Sequence, residues 1–214
     1  MSTGLIEILE DAFKLLLKNK IIFLPVLIVN LISLPFYLAD FSKYGIEYWI
    51  GEILFAILGI LAYLVTINLA YSSIKKKTSL GQGAIVNYMA ATVIYFLIVF
   101  AGIILFIIPG IYLAVRMYLY PNVIVVDKKG PIESLKRSWK VTKNKWWLTF
   151  GIGLVIGLAT LVVVMPIFMG LIMSGISEIG IIIALTLIFL ILIVTSVWGI
   201  VAYLIEYLRI SKHR

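Results

Sequence analysis

The chain has 214 residues, 63% of them hydrophobic and 13% charged, with a net charge of +8. A soluble domain of this length carries about 25% charge, so the composition excludes a soluble enzyme and points to an integral membrane protein. Cysteine is absent and the single histidine is His213, which excludes a disulfide framework, thiolate or histidine metal centres and most histidine general-base schemes.

The N-terminal stretch LIEILEDAFKLLLKNK puts Glu7, Glu10, Asp11, Lys14 and Lys18 on one helical face. Leu5, Ile8, Leu9, Ala12, Leu15 and Leu16 share the other, the pattern of an amphipathic helix lying at a membrane interface. It has acids before its lysines and does not read as a signal peptide. Long apolar runs follow at 21–39, 50–74, 90–108, 148–173 and 181–208. Between the third and fourth lies PGIYLAVRMYLYPNVIVV at 109–126, which contains Arg116 and is bounded by Pro109 and Pro121.

Charge decides how 109–126 runs, because cytoplasmic loops collect lysine and arginine. Basic groups stand at 14–20, 75–77, 128–145 and 209–214. If 109–126 crosses back, all four groups share one side, and only Lys43 and Arg116 of the 18 basic residues stand apart. The reading is six transmembrane helices in the cell membrane with both termini cytoplasmic. The third and fourth spans form a hairpin hinged at Pro109 and Gly110, with Pro121 as a second hinge. That turn is apolar enough to sit shallowly in the bilayer.

The stretch PIESLKRSWKVTKNKWW at 131–147 is a second interfacial helix. Gly130-Pro131 starts it, since proline suits the first helical position, and Glu133 suits the helix dipole. Ile132, Leu135, Trp139 and Trp146 share an apolar arc beside Lys136, Arg137, Lys140 and Lys143, basic side chains suited to anionic headgroups. IEILEDAFKLLLKNK at 6–20 aligns with IESLKRSWKVTKNK at 132–145 with one residue deleted, Phe13 opposite Trp139. Each is followed by a helical hairpin. The fold expected is therefore an all-α polytopic helix bundle forming one domain, 1–214. It carries a parallel internal repeat: a first unit at 4–74, a middle hairpin unit at 78–127 and a second unit at 130–210. The stretch 78–90 could form a third, shorter interfacial helix with Thr78 or Ser79 as its cap, although it matches the other two poorly.

The run 106–147 resembles the membrane domain of the glycerophosphoryl diester phosphodiesterase family and related uncharacterised membrane proteins. The shared pattern is Pro109-Gly110, Tyr112, Arg116, Pro121, Gly130 through Trp139, and Trp146-Trp147. The resemblance implies a six-span membrane protein of largely unknown activity and does not imply phosphodiesterase activity. In that family the chemistry belongs to a separate soluble barrel with histidines and carboxylates around a metal, and this chain has only His213.

Arg116 leads the candidate binding residues, since an intramembrane arginine faces protein, water or phosphate. Tyr112 stands beside it, and Glu52 is expected at comparable depth as an alternative ion-pair partner. Lys136, Arg137, Lys140 and Lys143 are candidate lipid contacts. Asn30 and Asn68 read as interhelical hydrogen-bonding residues, and Gly153-x-x-x-Gly157 as a close-packing motif. Glu206, beside Arg209 near the cytoplasmic end of the sixth span, is expected to pair locally or to snorkel. No cofactor, catalytic set or nucleic-acid role is expected, because topology accounts for the excess positive charge. Two functions remain: a non-enzymatic lipid-binding or membrane-organising protein, and a small-solute transporter or channel with Arg116 in the pathway. The sequence leaves open a homo-oligomer or a membrane-protein partner.

Overall fold

The computed structural model describes residues 4–38, 46–173 and 178–212, so Lys43, His213 and Arg214 lie outside the described residues. The described chain is all-helical. In order it forms α1 (Leu5–Lys18), a 3-10 turn (Lys20–Phe23), α2 (Leu24–Leu38), α3 (Ile46–Lys75), α4 (Ala84–Leu105) and α5 (Ile107–Met117). There follow α6 (Tyr120–Asp127), α7 (Pro131–Val141), α8 (Trp146–Met173) and α9 (Glu178–Ser211). Among the described residues, five stretches are long and apolar enough to cross a membrane: Trp49–Lys75, Ala84–Leu105, Ile107–Asp127, Trp146–Leu171 and Ile183–Ser211. A sixth forms only if α1 and the helix that follows it count as one bent span. The architecture is a helical membrane bundle.

α9 is the central helix. It buries Ile193, Val197, Ile200, Val201, Leu204 and Ile205 and packs against α1, α3 and α8. α8 is apolar around its whole circumference, and Leu154, Leu158, Leu161 and Val162 face outward. That distribution suits lipid, where no water competes for the intrahelical hydrogen bonds.

α1 does not continue into α2, because the axis bends by 98° between them. Asn19 makes the stop: its backbone N–H and its side-chain amide both donate to the Leu15 carbonyl, at 2.9 and 3.2 Å. α1 then lies across the end of α9, burying Ile8, Leu9, Ala12 and Leu16. The Trp198 indole donates to the Leu9 carbonyl at 3.0 Å. Arg209 pairs with Glu7 at 3.5 Å and with Asp11. The basic groups gather at this end. Lys75, Arg209 and Lys212 line one cleft with Asp11, and the Lys128 side chain lies against Gly81.

The middle of the chain departs from expectation in three places. No separate helix forms at 78–90; α4 starts at Ala84 after Gly83, whose φ of 76° suits glycine. Ser79 is not a cap but bonds the carbonyls of Val125 and Val126, tying the loop to α6. The α4–α5 reversal falls at Phe106, which is extended (φ −161°, ψ 139°), rather than at Pro109-Gly110. Pro109 is the third residue of α5, where a missing N–H leaves no intrahelical bond unmade. Gly110 lets α4 approach: a Cβ there would meet the Ile103 backbone at 2.7 Å. Gly102 opposite has the same role, with Gly110 Cα 3.0 Å from where its Cβ would be. Pro121 does sit at a break, in the first turn of α6 after Tyr118-Leu119. The helix expected from 131 does begin at Pro131 but ends at Val141, and turns at 142–145 separate it from α8. Trp146 therefore opens α8 instead of extending the apolar arc of α7.

Candidate functional site

The site is built around the α5–α6 break. A helix that stops leaves carbonyls without intrahelical donors. Here α7 supplies them. Ser138 Oγ and Thr142 Oγ1 donate to the Arg116 carbonyl at 3.1 and 2.8 Å, and Ser138 Oγ accepts from the Leu119 N–H at 3.1 Å. α7 is thereby clamped over the break, with Ser134, Leu135, Ser138 and Val141 buried.

The Arg116 side chain is sealed at 2% exposure. Its guanidinium carbon lies 4.2 Å from the Trp139 ring centre and 5.7 Å from that of Tyr112. A desolvated cation over aromatic faces is worth about 2 kcal/mol. Tyr112 meets Trp139 edge-on and stacks on Trp146, both at 6.0 Å between ring centres. The Trp146 indole donates to the Tyr112 carbonyl at 3.3 Å. These contacts join α5, α7 and the start of α8 into one aromatic layer.

Two apolar grooves flank this layer. The larger, about 740 Å³, runs between Ile108, Ile111 and Tyr112 on one side and Lys143 through Leu148 on the other. The smaller, about 360 Å³, has Ile94, Ile98, Met117, Ile132 and Leu135 as its floor and Lys136 and Lys140 at its rim, beside Trp139. Both pair aliphatic walls with lysines and tryptophan, the chemistry of a lipid chain beneath a phosphate.

Other predicted residues are placed differently. Arg137 is not a free headgroup contact, since its Nε lies 3.7 Å from Asp127, which also accepts from the Tyr207 hydroxyl at 2.5 Å. Lys136, Lys140 and Lys143 are exposed. Glu52 is set apart from Arg116 along the bundle. It lies about 23 residues before Lys75, roughly 35 Å at helical rise, whereas Arg116 packs on α7 at the basic end. Asn30 bonds within its own helix, donating to Val26 O at 2.7 Å, rather than to a neighbour. Asn68 Oδ1 accepts from the backbone N–H groups of Ser79 and Leu80 at 2.8 and 3.0 Å, securing the loop after α3. Gly153 makes room for the Tyr203 hydroxyl, 2.6 Å from where a Cβ would be, and Gly157 has nothing within 4 Å. The motif thus lines a cleft of about 360 Å³ with Tyr63, Tyr118 and Ser196 instead of packing two helices.

Sequence reasoning missed the environment of Glu206. Arg209 is taken by α1, so the fully buried Glu206 bonds Thr149 Oγ1 at 2.5 Å. The signal was available in Glu7 and Asp11, two acids on the polar face of α1 that need a cation.

Fold and site define a helical membrane protein in which α7 clamps the α5–α6 break between two lysine-rimmed grooves. The chain belongs to a family described as a domain of unknown function, DUF7847, which matches residues 49–208. This match, and not the glycerophosphoryl diester phosphodiesterase membrane domain, is the family the comparison returns. No curated protein and no solved structure matches the chain.

Proposed function

We propose that the protein is a non-enzymatic membrane protein that binds anionic lipid at its basic end and so organises the leaflet around it. One observation carries this reading: both grooves beside α7 combine an aliphatic floor with lysines at the rim, Lys136 and Lys140 on one, Lys143 and Lys145 on the other. Each lysine near an anionic surface contributes about 1 kcal/mol. The linings offer cations and apolar surface, not a paired acid and base for catalysis. The resemblance of 106–147 to the phosphodiesterase membrane domain agrees with a membrane role and supplies no catalytic group. On this reading the basic end is cytoplasmic in the cell membrane, and α1 and α7 are the interfacial helices of a parallel repeat, each leading into a helical hairpin.

Arg116 supports the reading indirectly. A solute pathway needs this side chain on an open surface, and it is sealed between Trp139 and Tyr112. Its role is to hold α7 so that the lysines flank the grooves.

Native mass spectrometry of protein released gently from detergent tests the proposal. Retained anionic phospholipid is expected on the wild type. Replacing Lys136, Lys140, Lys143 and Lys145 with glutamine is expected to lower its occupancy at least tenfold. Equal retention by that variant, or retention of zwitterionic lipid alone, contradicts the proposal.

A further inference from the structure

The stretches Ala84–Leu105 and Ile107–Asp127 have the length and apolarity of a pair of spans, yet their packing does not let them cross. The Tyr112 carbonyl is bonded by Trp146, which directly follows Lys145. Phe106, at the hairpin tip, is six residues from Tyr112, at most about 11 Å with five steps at helical rise and one extended. Ile108 shares a groove with Lys143, Asn144 and Lys145. A crossing needs about 30 Å of hydrocarbon between the tip and that basic loop, and the contacts leave less than half of it.

Helix direction gives an independent argument. Tyr112 stacks on Trp146, at the start of α8. Tyr118 meets Tyr203, with ring centres 4.5 Å apart, and the Tyr203 hydroxyl lies against Gly153. Six residues of α5 thus keep step with about seven of α8, and the two helices run in the same sense. α8 enters the bundle at the basic end, so α5 enters there too. A fourth span would run opposite to the fifth.

The tip is nonetheless strongly apolar. Ile104, Leu105, Phe106 and Ile107 are each about two-thirds exposed or more, and Ile108 is 81% exposed. Phe96, Leu97 and Phe100 extend this surface along α4. Lysine and tryptophan border it at 143–147, the signature of headgroup level. A helix start also leaves its first N–H groups without intrahelical acceptors, a need that lipid ester carbonyls can meet.

We propose that α4 and α5 form a re-entrant hairpin, a wedge held in the leaflet at the basic end and covered by lipid chains. Among the described helices α3, α8 and α9 then cross, the stretch 20–38 (the 3-10 turn with α2) supplies a shorter fourth crossing, and the basic groups still share one side. The wedge adds area to one leaflet only, which couples the protein to lipid packing.

The chain contains no cysteine, so single cysteines report position directly. Phe106→Cys and Ile108→Cys are compared in sealed, oriented vesicles with Lys77→Cys at the basic end and Lys43→Cys between the first two predicted spans. Two readings are taken: labelling by a membrane-impermeant maleimide from each side, and quenching of an attached bimane by nitroxide lipid placed in one leaflet. The expected result is that Phe106→Cys labels at least tenfold more slowly than Lys43→Cys from the Lys43 side. Its bimane is quenched several-fold more from the leaflet on the Lys77 side. Labelling from the Lys43 side means a true crossing and overturns the proposal. Fast labelling from the Lys77 side without lipid quenching places the tip in water and also overturns it. Neither labelling nor quenching means that a second copy or another protein covers the tip, which excludes lipid. None of these readings depends on headgroup selectivity, so they stand or fall apart from the lipid-binding proposal.

Discussion

α1 and α7 share a residue pattern and bury the same helical face, but against different surfaces. In α1 that face is apolar: Ile8 and Ala12 pack on a continuous helix, α9. In α7 the aligned positions are Ser134 and Ser138, buried just as deeply. The reason is the partner. α7 covers a broken helix whose Arg116 carbonyl and Leu119 N–H need hydrogen bonds, and hydroxyls provide them. The charges diverge in the same way. Asp11 of α1 pairs with Arg209, whereas the aligned Arg137 of α7 pairs with Asp127. Phe13 meets Trp198, whereas the aligned Trp139 takes the Arg116 cation. One pattern therefore serves as a plain packing helix and as a polar clamp.

The comparison breaks first if the buried hydroxyls are dispensable. Ser138→Ala combined with Thr142→Val leaves the Arg116 carbonyl and the Leu119 N–H without partners, at roughly 1–3 kcal/mol per buried group. Thermal unfolding in detergent should show a loss of about 3 kcal/mol, with α7 exchanging amide hydrogens faster. Ala12→Ser, the mirror change in α1, should cost under about 1 kcal/mol, because its hydroxyl can bond a carbonyl of its own helix. Equal losses would mean that the two faces are not specialised.

Gly110→Val sharpens the account of what α7 covers. The new side chain meets the Ile103 backbone, so α4 and α5 must separate, at about 1–3 kcal/mol for overpacking. Cysteine pairs across the crossing should then cross-link more slowly. A smaller effect separates the two ion pairs. Asp127→Ala strands Arg137 and removes the acceptor of Tyr207, at about 1–2 kcal/mol. Asp11→Ala removes a more exposed pair whose Arg209 keeps Glu7, at about 0.5 kcal/mol. Denaturant titration of the two variants gives the order, and a larger cost for Asp11→Ala would reverse it.

The start of α7 was legible because local chemistry sets it, Gly130-Pro131 with Glu133; α1 was legible from its two faces, but its stop at Asn19 rests on a bond to the Leu15 carbonyl that the sequence pattern does not single out. The reversal at Phe106 was not legible, because FIIPG is uniformly apolar and proline marks a helix start as readily as a bend. Arg116 was recognised as exceptional from its position in a run of apolar residues. Its cover by Trp139 was not, since that contact needs the break at Tyr118-Leu119 to fold α7 back over α5. Gly153 and Gly157 matched a packing motif, but the tyrosine at 203 decides what occupies the space. Such long-range pairings leave no periodic trace in one sequence.

The central claim is that the lysines beside α7, and not basic charge in general, select the lipid. Trp146 and Trp147 stand in the larger groove, so the part of the tryptophan quenching by brominated phospholipid that is lost on Trp146→Phe with Trp147→Phe measures occupancy there. Wild type should favour brominated anionic over brominated zwitterionic lipid several-fold. The variant with glutamine at 136, 140, 143 and 145 should lose that preference, whereas Lys14→Gln with Lys18→Gln on α1 should keep it. An unchanged preference in the first variant, or the same loss in the second, would contradict the account.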